Sequence, residues 1–121
     1  MERLSEVVKS ADWKNEKHVP VIDAPAVVKA GEWFNVAATV GKEIAHPNTT
    51  EHHICWIALH FVTEGAKISY ELGRFEFSAH GQSAAGPNEG PVHTDGSVSA
   101  RVRITAPGTL FATSYCNIHG L

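Results

Sequence analysis

Polar and apolar residues alternate without an error from Val98 to Ile104, and Val98, Ala100, Val102 and Ile104 fall on one side. A period of two is the signature of a strand with one buried and one wet face. Trp33 to Val40 shows the same pattern, with Phe34, Val36, Ala38 and Val40 on one face. Ile54 to Val62 is apolar on both faces, as expected of a central strand. Ile68 to Phe77 predicts another strand, and its alternation changes phase at Gly73, which predicts a bulge there. Leu110 to Cys116 predicts a last strand, entered through Pro107-Gly108. Weaker strand patterns cover Val19–Ile22 and Pro25–Lys29, and Leu4, Val7 and Val8 suit a short helical turn. Turn residues at Ala30-Gly31, Gly41-Lys42, Glu64-Gly65, Gly86-Pro87 and Asp95-Gly96 space the strands as in an all-β sandwich or barrel.

Composition agrees with this pattern. Val and Ile number 19 against 6 for Leu and Met, a balance that favours strands. At 121 residues the chain has room for one core, so residues 1–121 form a single domain, with 1–15 as an N-terminal extension. Ten Lys+Arg against thirteen Asp+Glu give a net charge of −3, which leaves no basic footprint for nucleic acid. The longest apolar run, Ile54 to Val62, is far short of a membrane span. The first residues lack the apolar core of a secretory signal, so the expected location is the cytoplasm.

The unusual count is eight histidines against two cysteines, Cys55 and Cys116. Two cysteines exclude a four-cysteine centre within one chain. His18 lies in Glu16-Lys17-His18-Val19-Pro20, His46 and His52 in the segment from His46-Pro47-Asn48 to His52-His53, and Cys116 and His119 in Cys116-Asn117-Ile118-His119. Taken singly, each group has an ordinary reading. Glu-Lys-His suits a solvated surface stretch, His-Pro-Asn an exposed turn, and a lone Cys at a strand end a small buried hydrophobe. All three groups nevertheless fall in loops or at strand ends, and loops at one end of a sandwich converge. His53 should point away from His52, His60 should sit near a sheet face, His80 and His93 should be surface groups of the long 79–96 loop, and Cys55 should be a buried thiol.

In this order, E-K-H-V-P, H-P-N-T-T-E-H-H-I and S-Y-C-N-I-H-G-L resemble the three motifs of the superoxide reductases, the neelaredoxin and desulfoferrodoxin family. The likeness extends to Gly41-Lys42-Glu43-Ile44 and to the loop from His80-Gly81 to Gly86-Pro87-Asn88. It implies an immunoglobulin-like β-sandwich of about seven strands that holds one mononuclear iron per chain. It places four equatorial imidazoles at His18, His46, His52 and His119 and an axial thiolate at Cys116. Glu16 matches the carboxylate that binds the ferric ion, and Lys17 the positive residue beside the open position. The implied reaction is the one-electron reduction of superoxide to hydrogen peroxide, with rubredoxin or a similar small carrier as donor, in a homotetramer or dimer. With two cysteines only, the resemblance is to the one-iron class.

Such a ligand set makes chemical sense: four neutral imidazoles and one thiolate leave a sixth position open, as inner-sphere chemistry requires. A thiolate opposite that position pushes electron density toward a bound oxygen species, and backbone N–H groups near Asn117 and His119 are placed to tune the sulfur. A cupredoxin-type electron carrier is the competing reading, but its weak axial Met should follow the C-terminal His, and the only Met is Met1. A binding module with structural zinc is the third, and five donors exceed the four that zinc prefers.

Lys17 is the residue whose role here depends on charge alone. If it captures an anion against the global charge of −3, Lys17→Ala slows the second-order reaction with superoxide by roughly tenfold, the low end of electrostatic steering. Pulse radiolysis over a salt series should show the wild-type rate falling with ionic strength and the variant's rate falling less. Equal rates and equal slopes would leave Lys17 a solvated loop charge.

Overall fold

The computed structural model describes residues 3–10 and 18–121. One helical turn, α1 (Leu4–Val7), is followed by β1 (Pro20–Asp23), β2 (Trp33–Val40), β3 (Ile54–Thr63), β4 (Ser69–Glu76), β5 (Ser97–Arg103) and β6 (Gly108–Cys116). Two three-stranded antiparallel sheets result, in the orders β1-β2-β5 and β4-β3-β6. The chain changes sheet between β2 and β3, between β4 and β5, and between β5 and β6. These connections make the sandwich that the alternating pattern predicts.

The inner faces meet in one core. Val36, Ala38 and Val40 of β2 and Val98 and Val102 of β5 pack with Ile54, Ile57 and Leu59 of β3 and with Cys116 of β6. Phe34 and Ala100 complete the two alternating faces as half-buried neighbours of that core. β3 is the middle strand of its sheet, and all of its residues are buried or half-buried, in keeping with its apolar sequence.

The phase change at Gly73 is a bulge: Leu59 lies opposite Gly73 but His60 lies opposite Glu71, so Leu72 is the extra residue. A second irregularity skips Cys55, because Ile54 pairs with Cys116 and Trp56 with Tyr115. At Gly108 a Cβ would run into the Val62 carbonyl oxygen and the Phe61 ring, so the first residue of β6 must be glycine to approach β3.

Six strands form among the described residues, in keeping with the expected sandwich of about seven. Pro25–Lys29 makes bends instead of a strand, with Val27 87% exposed. Its apolar residues find neither a buried face nor a partner ladder, so local propensity is not cashed in as pairing. The expected N-terminal turn forms as α1, where the Glu6 carboxylate accepts from the Arg3 N–H (2.9 Å), but Leu4 and Val7 stay exposed.

Ile57 is fully buried where the two sheets meet. Ile57→Ala should therefore lower unfolding free energy by about 2–5 kcal/mol, seen as a lower urea midpoint at unchanged slope. A change within 0.5 kcal/mol would mean that the sheets are not packed through this residue.

Candidate metal centre

Strand ends bring three distant segments to one place. His18 lies two residues before the start of β1, and its carbonyl accepts a hydrogen bond from Ser114 Oγ of β6 (3.3 Å). His46 and His52 lie in the connection from β2 to β3, and Cys116 is the last residue of β6. After Cys116 the chain turns back at once: Cys116 N–H donates to Gly120 O (3.0 Å) and Gly120 N–H to Cys116 O (2.9 Å). This turn folds His119 against the sulfur, with Nδ1 3.6 Å from Cys116 Sγ.

The four imidazoles form a ring of rings. Neighbouring centroids are 4.8 Å apart for His18 and His46, 4.8 Å for His46 and His52, 5.0 Å for His52 and His119, and 4.4 Å for His119 and His18. Across the quadrilateral, His18 and His52 are 6.1 Å apart. One donor atom each from His18, His52, Cys116 and His119 falls within a mutual span of 4.8 Å. Ligand atoms about 2.0–2.3 Å from a common ion lie up to roughly 4.6 Å apart when opposite, so the donors need to close by only a few tenths of an ångström around a single ion.

The tautomer of His46 suits ligation. His46 Nδ1 lies 2.7 Å from Pro47 O, which only accepts, so Nδ1 carries the proton and the lone pair is on Nε2. A backbone carbonyl on the far nitrogen is the usual orienting partner of a ligating histidine. The Nε2 atoms of His18, His46 and His52 are all buried, and Cys116 is 2% exposed, whereas His119 is exposed. Three nitrogens and one sulfur, from His18, His52, His119 and Cys116, therefore fit a metal site, and the His46 ring stands beside them, 4.8 Å from those of His18 and His52.

Polar side chains hold the loops in register. Asn117 bridges the last turn and the segment that carries His52: its Oδ1 accepts from His53 N–H (2.8 Å) and its Nδ2 donates to Glu51 O (2.9 Å). Within the second segment, Thr49 N–H donates to His52 O (3.0 Å) and His52 N–H to Thr49 Oγ1 (3.1 Å). Asn88, the one described non-glycine residue with positive φ (62°), accepts from Thr50 N–H (2.8 Å) and donates to both Glu51 carboxylate oxygens. The Asn88 amide is the main reason the exposed Glu51 carboxyl is held down to about 2. Lys9 Nζ donates to His119 O (2.7 Å), which ties the N-terminal segment to the last turn.

The structure brings together His18, His46, His52, Cys116 and His119. Glu16 and Lys17 lie outside the described residues. Asn117 N–H is not spent on the sulfur, because it donates to His53 O (3.2 Å). His53 does turn away from the cluster, stacking on His80 at 3.6 Å. His60, half-buried on β3, bonds Thr113 Oγ1 across the sheet (2.9 Å). His93 is exposed, but His80 is not the surface group expected of a Gly- and Pro-rich loop, being 5% exposed. Cys55 is half-buried at its bulge and not fully enclosed; burial there, with Cys116 nearby, raises its pKa. The clamping residues Asn117 and Asn88 escaped the sequence reading because an asparagine in a loop reads as turn chemistry and leaves its partner unspecified.

Comparison with known proteins gives a uniform result. The Desulfoferrodoxin family model matches residues 10–121. Neelaredoxin from Megalodesulfovibrio gigas is 56% identical, over 98% of this chain and 92% of its own length. Superoxide reductase from Pyrococcus furiosus is 51% identical, over 98% of this chain and 93% of its own. Among solved structures, the superoxide reductase (neelaredoxin) of Archaeoglobus fulgidus in the reduced form superposes with a TM-score of 0.86 at 52% identity, covering 94% of this chain and 91% of that one.

Gly41 has a positive φ of 92°, and a Cβ there would lie 2.7 Å from the backbone nitrogen of His46. Gly41→Ala must therefore move the start of the segment that carries His46, at about 1–3 kcal/mol of backbone strain. Metal affinity should fall roughly tenfold or more while the far-ultraviolet circular dichroism of the β-sandwich is retained. Unchanged affinity in a competition titration would show that His46 does not depend on this contact.

Proposed function

Because the chain belongs to the desulfoferrodoxin family, we propose that it is a superoxide reductase whose metal is one mononuclear iron. The observation that carries this reading is the closed ring of four imidazoles with a buried thiol beside it. His18, His46, His52 and His119 are the nitrogen ligands and Cys116 the thiolate ligand. Iron in this set supplies the one-electron step, in which superoxide, one electron and two protons become hydrogen peroxide.

The side chains have separable tasks. The Pro47 carbonyl holds His46 in the tautomer that presents Nε2. Burial of Cys116 keeps water from its sulfur, which favours a short-range partner for the thiolate over a hydrogen-bonded solvent. The exposed His119 places one edge of the ring near solvent, where a small anion arrives. Glu16 offers a hard carboxylate to the ferric state, and Lys17 draws the anion in; both roles rest on their match to the family motif. The same resemblance supports a rubredoxin-type donor, a homotetramer or dimer, a cytoplasmic location and a single iron-binding domain over 1–121. No described helix is long and apolar enough to cross a membrane.

Metal analysis with a visible spectrum tests the reading directly. About one iron per chain and a thiolate charge-transfer band in the oxidised protein are expected, with superoxide consumed in the presence of a reductant. Cys116→Ser should abolish that band and most of the turnover while keeping the fold, and Cys55→Ser should leave both near wild type. Zinc or copper at full occupancy, or wild-type turnover in Cys116→Ser, would overturn the assignment.

A further inference from the structure

His80 lies outside the five-donor set, yet it is among the few buried polar residues. Both of its ring nitrogens face oxygens: Nε2 is 2.8 Å from Phe77 O and Nδ1 is 2.8 Å from Asn48 Oδ1. The first oxygen is a carbonyl and only accepts. The second is fixed as an acceptor by the other end of its amide, because Asn48 Nδ2 donates to Thr94 O (2.7 Å). Turning the Asn48 amide over would aim its oxygen at that carbonyl. A neutral imidazole carries one N–H, so it would leave a ring lone pair facing an oxygen lone pair at one side or the other. Only the imidazolium has a donor for each oxygen.

The surroundings complete the description. The His53 ring, from the approach to β3, stacks on His80 at 3.6 Å and 5°, and its own Nδ1 is engaged with Thr49 O (2.8 Å). His93 pairs with His80 across the 79–96 loop. Asp95 and His46 share with His80 the lining of a small cavity of about 150 Å³. The backbone N–H of His80 donates to Gln82 Oε1 (2.6 Å), which fixes the backbone from which the ring projects.

We propose that His80 is held as an imidazolium and is the positioning residue for the segment carrying His46 and His52, donating from Nε2 to Phe77 O and from Nδ1 to Asn48 Oδ1. This rests on the reading of His46 and His52 as ligands. Asn48 stands two residues after His46, so Phe77, His80, Asn48 and Thr94 form a continuous chain that anchors the ligand segment to the end of β4 and to the approach to β5. Burial is the largest influence and pulls the His80 pKa below its ordinary value; the Phe77 carbonyl opposes it, and His53 and His93 lower it further, so the charge has to be held by the two acceptors. The second acceptor, Asn48 Oδ1, adds to the favourable side, and charge-assisted bonds at both nitrogens are what a buried imidazolium requires.

Neutron diffraction from deuterium-exchanged crystals of the iron-loaded protein at neutral pH reads the protonation directly. Deuterium on both His80 nitrogens, with the Asn48 ND2 group toward Thr94 O, is the expected result. Deuterium on one nitrogen only would overturn the imidazolium. Positioning is tested by iron release to a chelator, which should be roughly 10- to 100-fold faster in Asn48→Ala and His80→Ala than in wild type. Wild-type release in Asn48→Ala, a change at a half-buried loop residue, would overturn the positioning role even if His80→Ala fails to fold. Failure of the superoxide reading would appear instead as another metal or absent turnover, and the deuterium pattern at His80 is independent of both.

Discussion

Nine register pairs join β3 to β6, from Thr63 opposite Gly108 to Ile54 opposite Cys116, and that ladder carries the thiol into the core. Cys116 is a member of the hydrophobic cluster as well as of the donor group, so the site and the core share a side chain. A residue packed at this density cannot drift by the ångström or so that a weakly held loop ligand could. The other donors are arranged around a sulfur whose position the sandwich has already set.

Around that sulfur the histidines arrive on short tethers. His18 is held to β6 through Ser114, and His119 is returned to the thiol by the paired Cys116–Gly120 turn. The longer connection between β2 and β3 has no strand of its own to stiffen it, and it is fastened instead by asparagine and threonine side chains. Each of these amides satisfies backbone groups that a loop near the core would otherwise leave without partners. The 79–96 loop contributes Asn88 to the same task and His80 behind it, which gives a long Gly- and Pro-rich segment a structural purpose.

Much of this was legible in the residues themselves. Strict alternation in Val98 to Ile104 and double-faced apolarity in Ile54 to Val62 determine which face of each strand is buried, because side-chain direction along a strand has a period of two. The phase change at Gly73 marked its bulge for the same reason. The five donors were legible by type and by their places at strand ends, with the family likeness supplying their grouping. Pro25–Lys29 shows where local pattern stops being informative: a strand exists only if another strand offers it a ladder, and Val27 and Val28 have neither that nor a covering layer.

Three-dimensional packing alone decided the partners of the polar groups. His53 and His80 are 27 residues apart and stack face to face, Asn48 reaches Thr94 across 46 residues, and Asn117 reaches Glu51 across 66. A histidine or asparagine in a loop has the same local signature whether it is solvated or buried. Sequence by itself therefore determined the strands, their buried faces and the kinds of donor available. Tertiary structure decided which imidazoles close around the thiol and which stand behind them, because hydrogen bonds between loops depend on distances that only the packed sheets set.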